Sequence, residues 1–121
     1  YAEATALGIF VNTADQPELC SFIMPAVVRR GDIGIAISTS GTSPALAARL
    51  RRKISRVIGP EYGQFSQLMV RARREIRSRV ASERERKELH YRIIDSDIIK
   101  LLRSNDREAA ERRLNEMIQN P

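Results

Sequence analysis

The chain changes character at Gly59-Pro60. Before this dipeptide Gly, Pro, Ser, Thr and β-branched residues dominate; after it the chain is rich in Arg and Glu, with Gly63 its one glycine and Pro121 its one proline. A glycine stops a helix and a following proline blocks its continuation. The break therefore predicts a module boundary, with mixed α and β structure before it and helices after it.

The helical half carries its own periodicity. Tyr62, Phe65, Met69, Ala72, Ile76 and Val80 recur at spacings of three and four, which places them on one helical face. Ser82 followed by Glu85 is a capping box opening a helix with Leu89, Ile93 and Ile94. Ile98, Leu101 and Leu102 mark a short third helix, and Asn105 with Glu108 repeats the cap pattern before Ala110, Leu114, Met117 and Ile118. Short connections imply antiparallel neighbours.

The first half begins with residues 1–7 (YAEATAL), read as the end of a helix that Gly8 stops, followed by Ile9-Phe10-Val11 as a short apolar strand. A strand entered from an uncapped helix is expected where a chain starts inside an αβ unit. Residues 22–30 (FIMPAVVRR) and 33–39 (IGIAIST) are β-prone, with Gly31-Asp32 as turn and Pro25 as a break in the first run. A β-hairpin is predicted. Ser43 is a good N-cap and Pro44 suits the first helical position. Ala47, Leu50, Ile54 and Val57 then give an apolar stripe that ends before Gly59.

Charge and composition limit the chemistry. Arg and Lys total 21 against 15 acids, a net charge of +6, which suits an anionic partner. Aromatic residues are 5% with no Trp, so a base-stacking surface is disfavoured and nucleic acid is an unlikely partner. Cys20 and His90 are the sole cysteine and histidine; no internal disulfide or His/Cys metal cage is possible, and no protein-held metal is expected. Cys20 reads as a small buried apolar side chain, and His90 as a proton shuttle or a partly buried helix residue. No apolar run is long enough to span a bilayer and the start does not read as a signal peptide; a cytoplasmic protein is expected, with no membrane partner.

Three places can carry chemistry. Asp15 follows Val11 on a loop beyond the expected strand, where α/β folds place ligands; it is equally a turn residue ahead of Pro17. Ser38, Thr39, Ser40, Gly41, Thr42 and Ser43 lead into a helix N-terminus, a favourable place for anions and also an ordinary polar loop. Arg49, Arg52 and Arg56 share a helix face flanked by Arg51 and Lys53, with no acid from 49 to 56. They suit carboxylates or phosphates, or form a solvated face.

Val11 to Ile54 resembles the precorrin-2 dehydrogenase / sirohydrochlorin ferrochelatase family, the module that also fronts multifunctional siroheme synthases. The motifs are V-N-x-x-D at Val11–Asp15, F-I-x-P-A at Phe22–Ala26 and S-T-x-G-x-S-P-x-L-A at Ser38–Ala47. The resemblance implies an α+β fragment: the last strand of a Rossmann-like NAD-binding domain in residues 1–21, a hairpin and long helix forming a dimerisation segment in 22–59, and a small all-α module in 60–121. It implies a homodimer that oxidises precorrin-2 to sirohydrochlorin with NAD⁺, some members then inserting Fe²⁺ to give siroheme. Asp15 falls on the family's essential aspartate, facing a tetrapyrrole cleft. The anionic substrate would be bound by Asn12, residues 38–43, Arg49 and Arg52.

Two features depart from the family. No G-x-G-x-x-G turn occurs, so the NAD-binding residues are unknown, no cofactor is expected on this chain and it should be inactive alone. Ser40 stands where relatives often have Gly. Two other readings remain open: a non-enzymatic dimerisation or interaction domain, and a basic helical nucleic-acid-binding module in residues 61–121.

Overall fold

The computed structural model describes residues 1–120. In chain order these form α1 (Ala2–Ala6), a 3-10 turn (Pro17–Leu19), β1 (Ala26–Arg30), β2 (Ile33–Ile37), α2 (Pro44–Val57), α3 (Glu61–Arg79), α4 (Glu83–Ile94), α5 (Ile98–Arg103) and α6 (Arg107–Gln119). The chain divides into two compact units, residues 1–28 with 34–57 and residues 29–33 with those from 58 onward.

The second unit is built on the stripes read from sequence. Phe65, Leu68, Ala72, Ile76 and Val80 of α3 and its end meet Leu89 and Ile93 of α4, Ile98 and Leu102 of α5, and Ala110, Leu114 and Ile118 of α6 in one core. Ile76, Leu89, Ile93, Ile98, Leu114 and Ile118 are fully enclosed, each contributing about 1.5–3 kcal/mol of apolar burial. Met69, which the spacing put inside, lies at the core's margin, and Leu68 takes the inner position.

Capping is as expected at α4, where the Ser82 hydroxyl accepts from the Glu85 N–H at 3.4 Å. The α5–α6 corner corrects the prediction by one residue. Asn105 adopts a left-handed φ of 61°; its N–H and that of Asp106 return to the carbonyls of Leu102 and Leu101 at 3.0 and 2.9 Å. This is a Schellman ending, which Asn tolerates. Asn105 thus closes α5, and Asp106 caps α6 by accepting from the Ala109 N–H at 3.0 Å.

Glu61, in the first turn of α3, is buried. Its Oε1 accepts from Arg103 Nε at 3.0 Å and Nη2 at 2.8 Å, tying α3 to α5. Burial pushes the Glu61 carboxyl up, but the backbone amides of Glu61 and Gly59 and the Arg103 guanidinium outweigh it and hold the pKa below the usual carboxylate range. A depressed native pKa means the pair stabilises the fold above the ordinary carboxylate pKa and loses that contribution as pH falls through the native value. Arg103→Met is expected to cost about 2 kcal/mol near neutrality, by stranding a buried carboxylate, and the deficit should shrink in acid. Urea titrations at neutral and acidic pH check this; a deficit independent of pH would assign the loss to packing.

Gly63 lies where α3 passes the hairpin turn: a Cβ there would stand 3.0 Å from the Arg30 carbonyl carbon and 3.1 Å from the Gly31 nitrogen. Arg30 Nε donates to the Ile58 carbonyl at 2.8 Å beside this contact. Close backbone approach explains the single glycine of the helical half.

The hairpin forms as expected, with Gly31-Asp32 between its strands. A two-residue link makes it antiparallel. It starts at Ala26, after Pro25, which has no N–H to contribute to a ladder. In the first unit, Gly8 ends α1 as expected: the N–H groups of Gly8 and Ile9 return to the carbonyls of Thr5 and Ala4. The expected last Rossmann strand at Ile9–Val11 is not formed. A parallel strand needs neighbours to take its backbone hydrogen bonds, and the sheet among the described residues has two strands, both in the hairpin. Few side chains are enclosed here: Val28 and Ala47 are buried, whereas Phe10 is 80% and Val57 67% exposed. The α2 stripe thus buries Ala47, half-buries Leu50 and Ile54 and leaves Val57 outside.

Candidate functional site

The segment Val11–Phe22 closes on itself. The Val11 N–H donates to Ser21 Oγ at 2.7 Å, and the Ser21 N–H returns to the Val11 carbonyl at 2.8 Å. Asn12 Nδ2 donates to the Phe22 carbonyl at 2.9 Å. Inside the loop, the Cys20 sulfur accepts from the Thr13 N–H at 3.2 Å. Cys20 is half-buried, so its expected role as a buried apolar filler is corrected: the thiol ties the loop. These bonds leave Asp15 exposed at the tip, with φ 58°. Left-handed backbone is uncommon outside Gly, Asn and Asp, so residue type and conformation agree. The strand expected to present Asp15 is absent; the crosslinked loop presents it instead.

The second and third motifs join the same structure. Phe22 meets Phe10 edge to face, ring centroids 6.1 Å apart at 80°. A Cβ on Gly41 would stand 3.1 Å from Ile23 Cδ1, so the Ser/Thr loop rests on the F-I-x-P-A segment. Thr39 organises that loop: its Oγ1 accepts from the Ser43 N–H at 3.2 Å, while its carbonyl accepts from the Thr42 hydroxyl at 2.7 Å and the Thr42 N–H at 3.0 Å. Ser38 Oγ accepts from the Ser40 N–H at 3.1 Å, and Ser43 caps α2 by accepting from the Leu46 N–H at 3.2 Å. Several of the expected substrate-binding hydroxyls therefore hold loop geometry. Ser40 has φ 53°, a left-handed conformation that Gly would adopt more readily.

On α2, Arg49, Arg52, Lys53 and Arg56 line a shallow pocket of about 230 Å³. Lys53 belongs to this cluster, whereas the spacing had placed it on the flank; Arg51 lies outside it. Four cations on one helix face with no acid among them concentrate positive charge there, a charge arrangement that suits carboxylates or phosphates.

The helical unit holds a larger groove of about 990 Å³ between α3 and α4, lined partly by His90 and Tyr91. The sequence singles out His90, but the groove was not legible there. Asp15 lines neither groove. No three His, Cys, Asp or Glu side chains converge as a metal site among the described residues. The passage from β2 to α2 carries no G-x-G-x-x-G turn, and the Thr39 and Ser43 hydroxyls take up its N–H groups of Ser43 and Leu46.

Two family models match this chain. Residues 30–56 fit "Sirohaem biosynthesis protein central" and residues 61–118 fit "Sirohaem synthase dimerisation region".

The chain carries the central and dimerisation regions of the siroheme synthase family.

The siroheme synthase of Pseudoalteromonas translucida is 36% identical over 115 residues, 95% of this chain and 24% of that protein. The siroheme synthase of Nitrosomonas europaea is 34% identical over 119 residues, 98% of this chain and 25% of that protein. The chain thus spans about a quarter of the length of these relatives. Among solved structures, the precorrin-2 dehydrogenase SirC superposes with a TM-score of 0.65 at 27% identity, covering 84% of this chain and 48% of SirC. The dimerisation description falls on the helices 61–118, and the central description on the hairpin turn, β2 and α2, within the segment 22–59 that the resemblance assigned to the dimer. No helix among the described residues is long and apolar enough to cross a membrane.

Proposed function

We propose that this chain supplies the substrate side of an NAD-dependent oxidation of precorrin-2 to sirohydrochlorin, in a cytoplasmic siroheme-forming homodimer. The observation that carries this reading is the linkage of the three motifs into one body, through Asn12 to Phe22 and Ile23 to Gly41, with Asp15 exposed at its tip. Asp15 accepts the proton that leaves the macrocycle as it is oxidised. The same carboxylate can take pyrrole protons if Fe²⁺, as substrate, is then inserted. Arg49 and Arg52 pair with the substrate's acetate and propionate groups, while Thr39 holds the loop ahead of them.

Self-association is supported by the apolar surface that the first unit leaves open, Leu46 and Val57 on α2 included, and by the dimerisation model on 61–118. A non-enzymatic dimerisation domain is the second reading, favoured by that same match. A nucleic-acid module is less favoured, because Arg84, Arg107 and Arg112 are each paired with a glutamate four positions away.

The full-length protein, given precorrin-2 and NAD⁺, should form NADH; none at any protein concentration would leave the dimerisation reading. Arg49→Glu with Arg52→Glu should raise KM for precorrin-2 by about tenfold or more, as expected for removing charge-assisted contacts, and change kcat little. An unchanged KM would remove these arginines from the site.

A further inference from the structure

We infer that the groove between α3 and α4 is a second binding site, for a flat apolar molecule carrying several carboxylates. At about 990 Å³ it lies at the upper end of small-molecule sites, roughly 300–1,000 Å³. Its lining changes along both helices in the same sense. Next to the α3–α4 connection it is cationic, with Arg73 and Arg77 on α3 and Arg86 and Lys87 on α4. Farther from the connection it is apolar and aromatic, with Tyr62, Phe65 and Met69 on α3 and Tyr91 and Ile94 on α4. His90 lies between the two zones, and Glu83 is the one acid of the lining.

What distinguishes these cations is that they gather beside an apolar, aromatic wall, since Arg74, Arg79, Arg92 and Lys100 outside the groove also have no ion pair among the described residues. Elsewhere on the helical unit, Arg84, Arg107 and Arg112 hold glutamates at 2.9, 2.9 and 2.6 Å. The side chains of Arg73, Arg77 and Lys87 make no ion pair or hydrogen bond among the described residues. Arg86 is fixed by donating through Nη1 to the carbonyls of Val80 and Ala81, at 3.1 and 3.0 Å. Its own charge still meets no carboxylate there. Four cations against the single Glu83 leave a net positive charge that repels itself, and exposed apolar surface such as Tyr91, 57% exposed, is costly beside it. One ligand relieves both: its carboxylates pair with the cations and its body covers the aromatic faces. Cations on two helices call for several carboxylates, and the ring-lined floor for a flat body. A second copy docking by the same face would bring the like charges together, which disfavours that occupant.

The choice of a tetrapyrrole-like ligand rests on the proposed function; the groove is independent of Asp15. The probe is coproporphyrin III, a stable flat tetracarboxylate, followed by its fluorescence on titration with the full chain. Saturable binding is expected, weakened about tenfold or more by Arg73→Glu with Arg77→Glu, and again by Lys87→Glu. These exposed substitutions should leave the helical circular dichroism and sedimentation unchanged. Arg74→Glu with Arg92→Glu, outside the groove lining, should leave this binding within about twofold, and the α2 variant Arg49→Glu with Arg52→Glu should keep the groove's share of it. Binding lost only in the α2 variant would overturn the second site and leave the proposed function standing. Equal competition by laurate would overturn the requirement for a flat polycarboxylate. A groove variant that turns dimers into monomers yet binds the porphyrin normally would assign the face to a second copy. Groove binding in a full-length protein that makes no NADH would overturn the proposed function and keep the site.

Discussion

Replacing Asp15 by Asn in the full-length protein is expected to lower the rate of NADH formation from precorrin-2 by about 10²–10⁴-fold, the contribution of one positioned general base. Asn is the informative substitution because position 15 has φ 58°. Asn accepts left-handed backbone, so charge is removed while the loop tip keeps its shape. Asp15→Ala should be equally inactive and slightly less stable, by about 1 kcal/mol, since Ala pays for this conformation. The loop itself should persist in both variants, because its closure depends on Asn12, Thr13, Cys20 and Ser21 rather than on the Asp15 carboxylate. NADH production, the melting curve and precorrin-2 affinity together check this. An Asp15→Asn protein that turns over normally would take the proton-accepting role away from this position.

Ile76→Ala should cost about 3–4 kcal/mol, the range for a large aliphatic side chain removed from an interior that cannot collapse around the gap. Ile76 is 0% exposed, as are Ala72, Ile93, Ile98, Ala110 and Leu114 around the same core. The loss is a large share of the roughly 5–15 kcal/mol that holds a typical domain folded. Val57→Ala on α2 provides the contrast: that side chain is 67% exposed, and its removal should change the stability of the isolated chain by less than about 0.5 kcal/mol. Urea unfolding followed by circular dichroism measures both. A cost below about 1 kcal/mol at Ile76 would mean the four helices do not share one core.

The positions where reading and structure part have physical causes. The cap pattern misplaces a helix end by one residue at Asn105 because Asn serves both as an N-cap and as a left-handed C-terminal stop, and sequence spacing does not choose between them. Asp106, with its carboxylate aimed at the Ala109 N–H, made the choice. The strand at Ile9–Val11 failed for a different reason: β structure is completed by partners, and apolar residues in a row are only eligible for it. Of the candidate site, the residue types at Asp15, Thr39, Ser43 and Arg49 were visible. The joining of their motifs through the Phe22 carbonyl and the Ile23 side chain was not, since such contacts link residues whose separation carries no periodic signal.

The sequence by itself determined the helix break at Gly59-Pro60, the hairpin turn, the α2 start at Ser43-Pro44 and the inward faces of four helices. All are local preferences or short-period patterns, set by backbone geometry within a few residues. Only the tertiary structure decided that Gly63 meets the hairpin backbone, that Glu61 is buried against Arg103, and that unpaired cations and aromatic rings face one groove. Those outcomes depend on which distant surfaces come within a few ångströms, a matter of packing and charge between segments that no local pattern encodes.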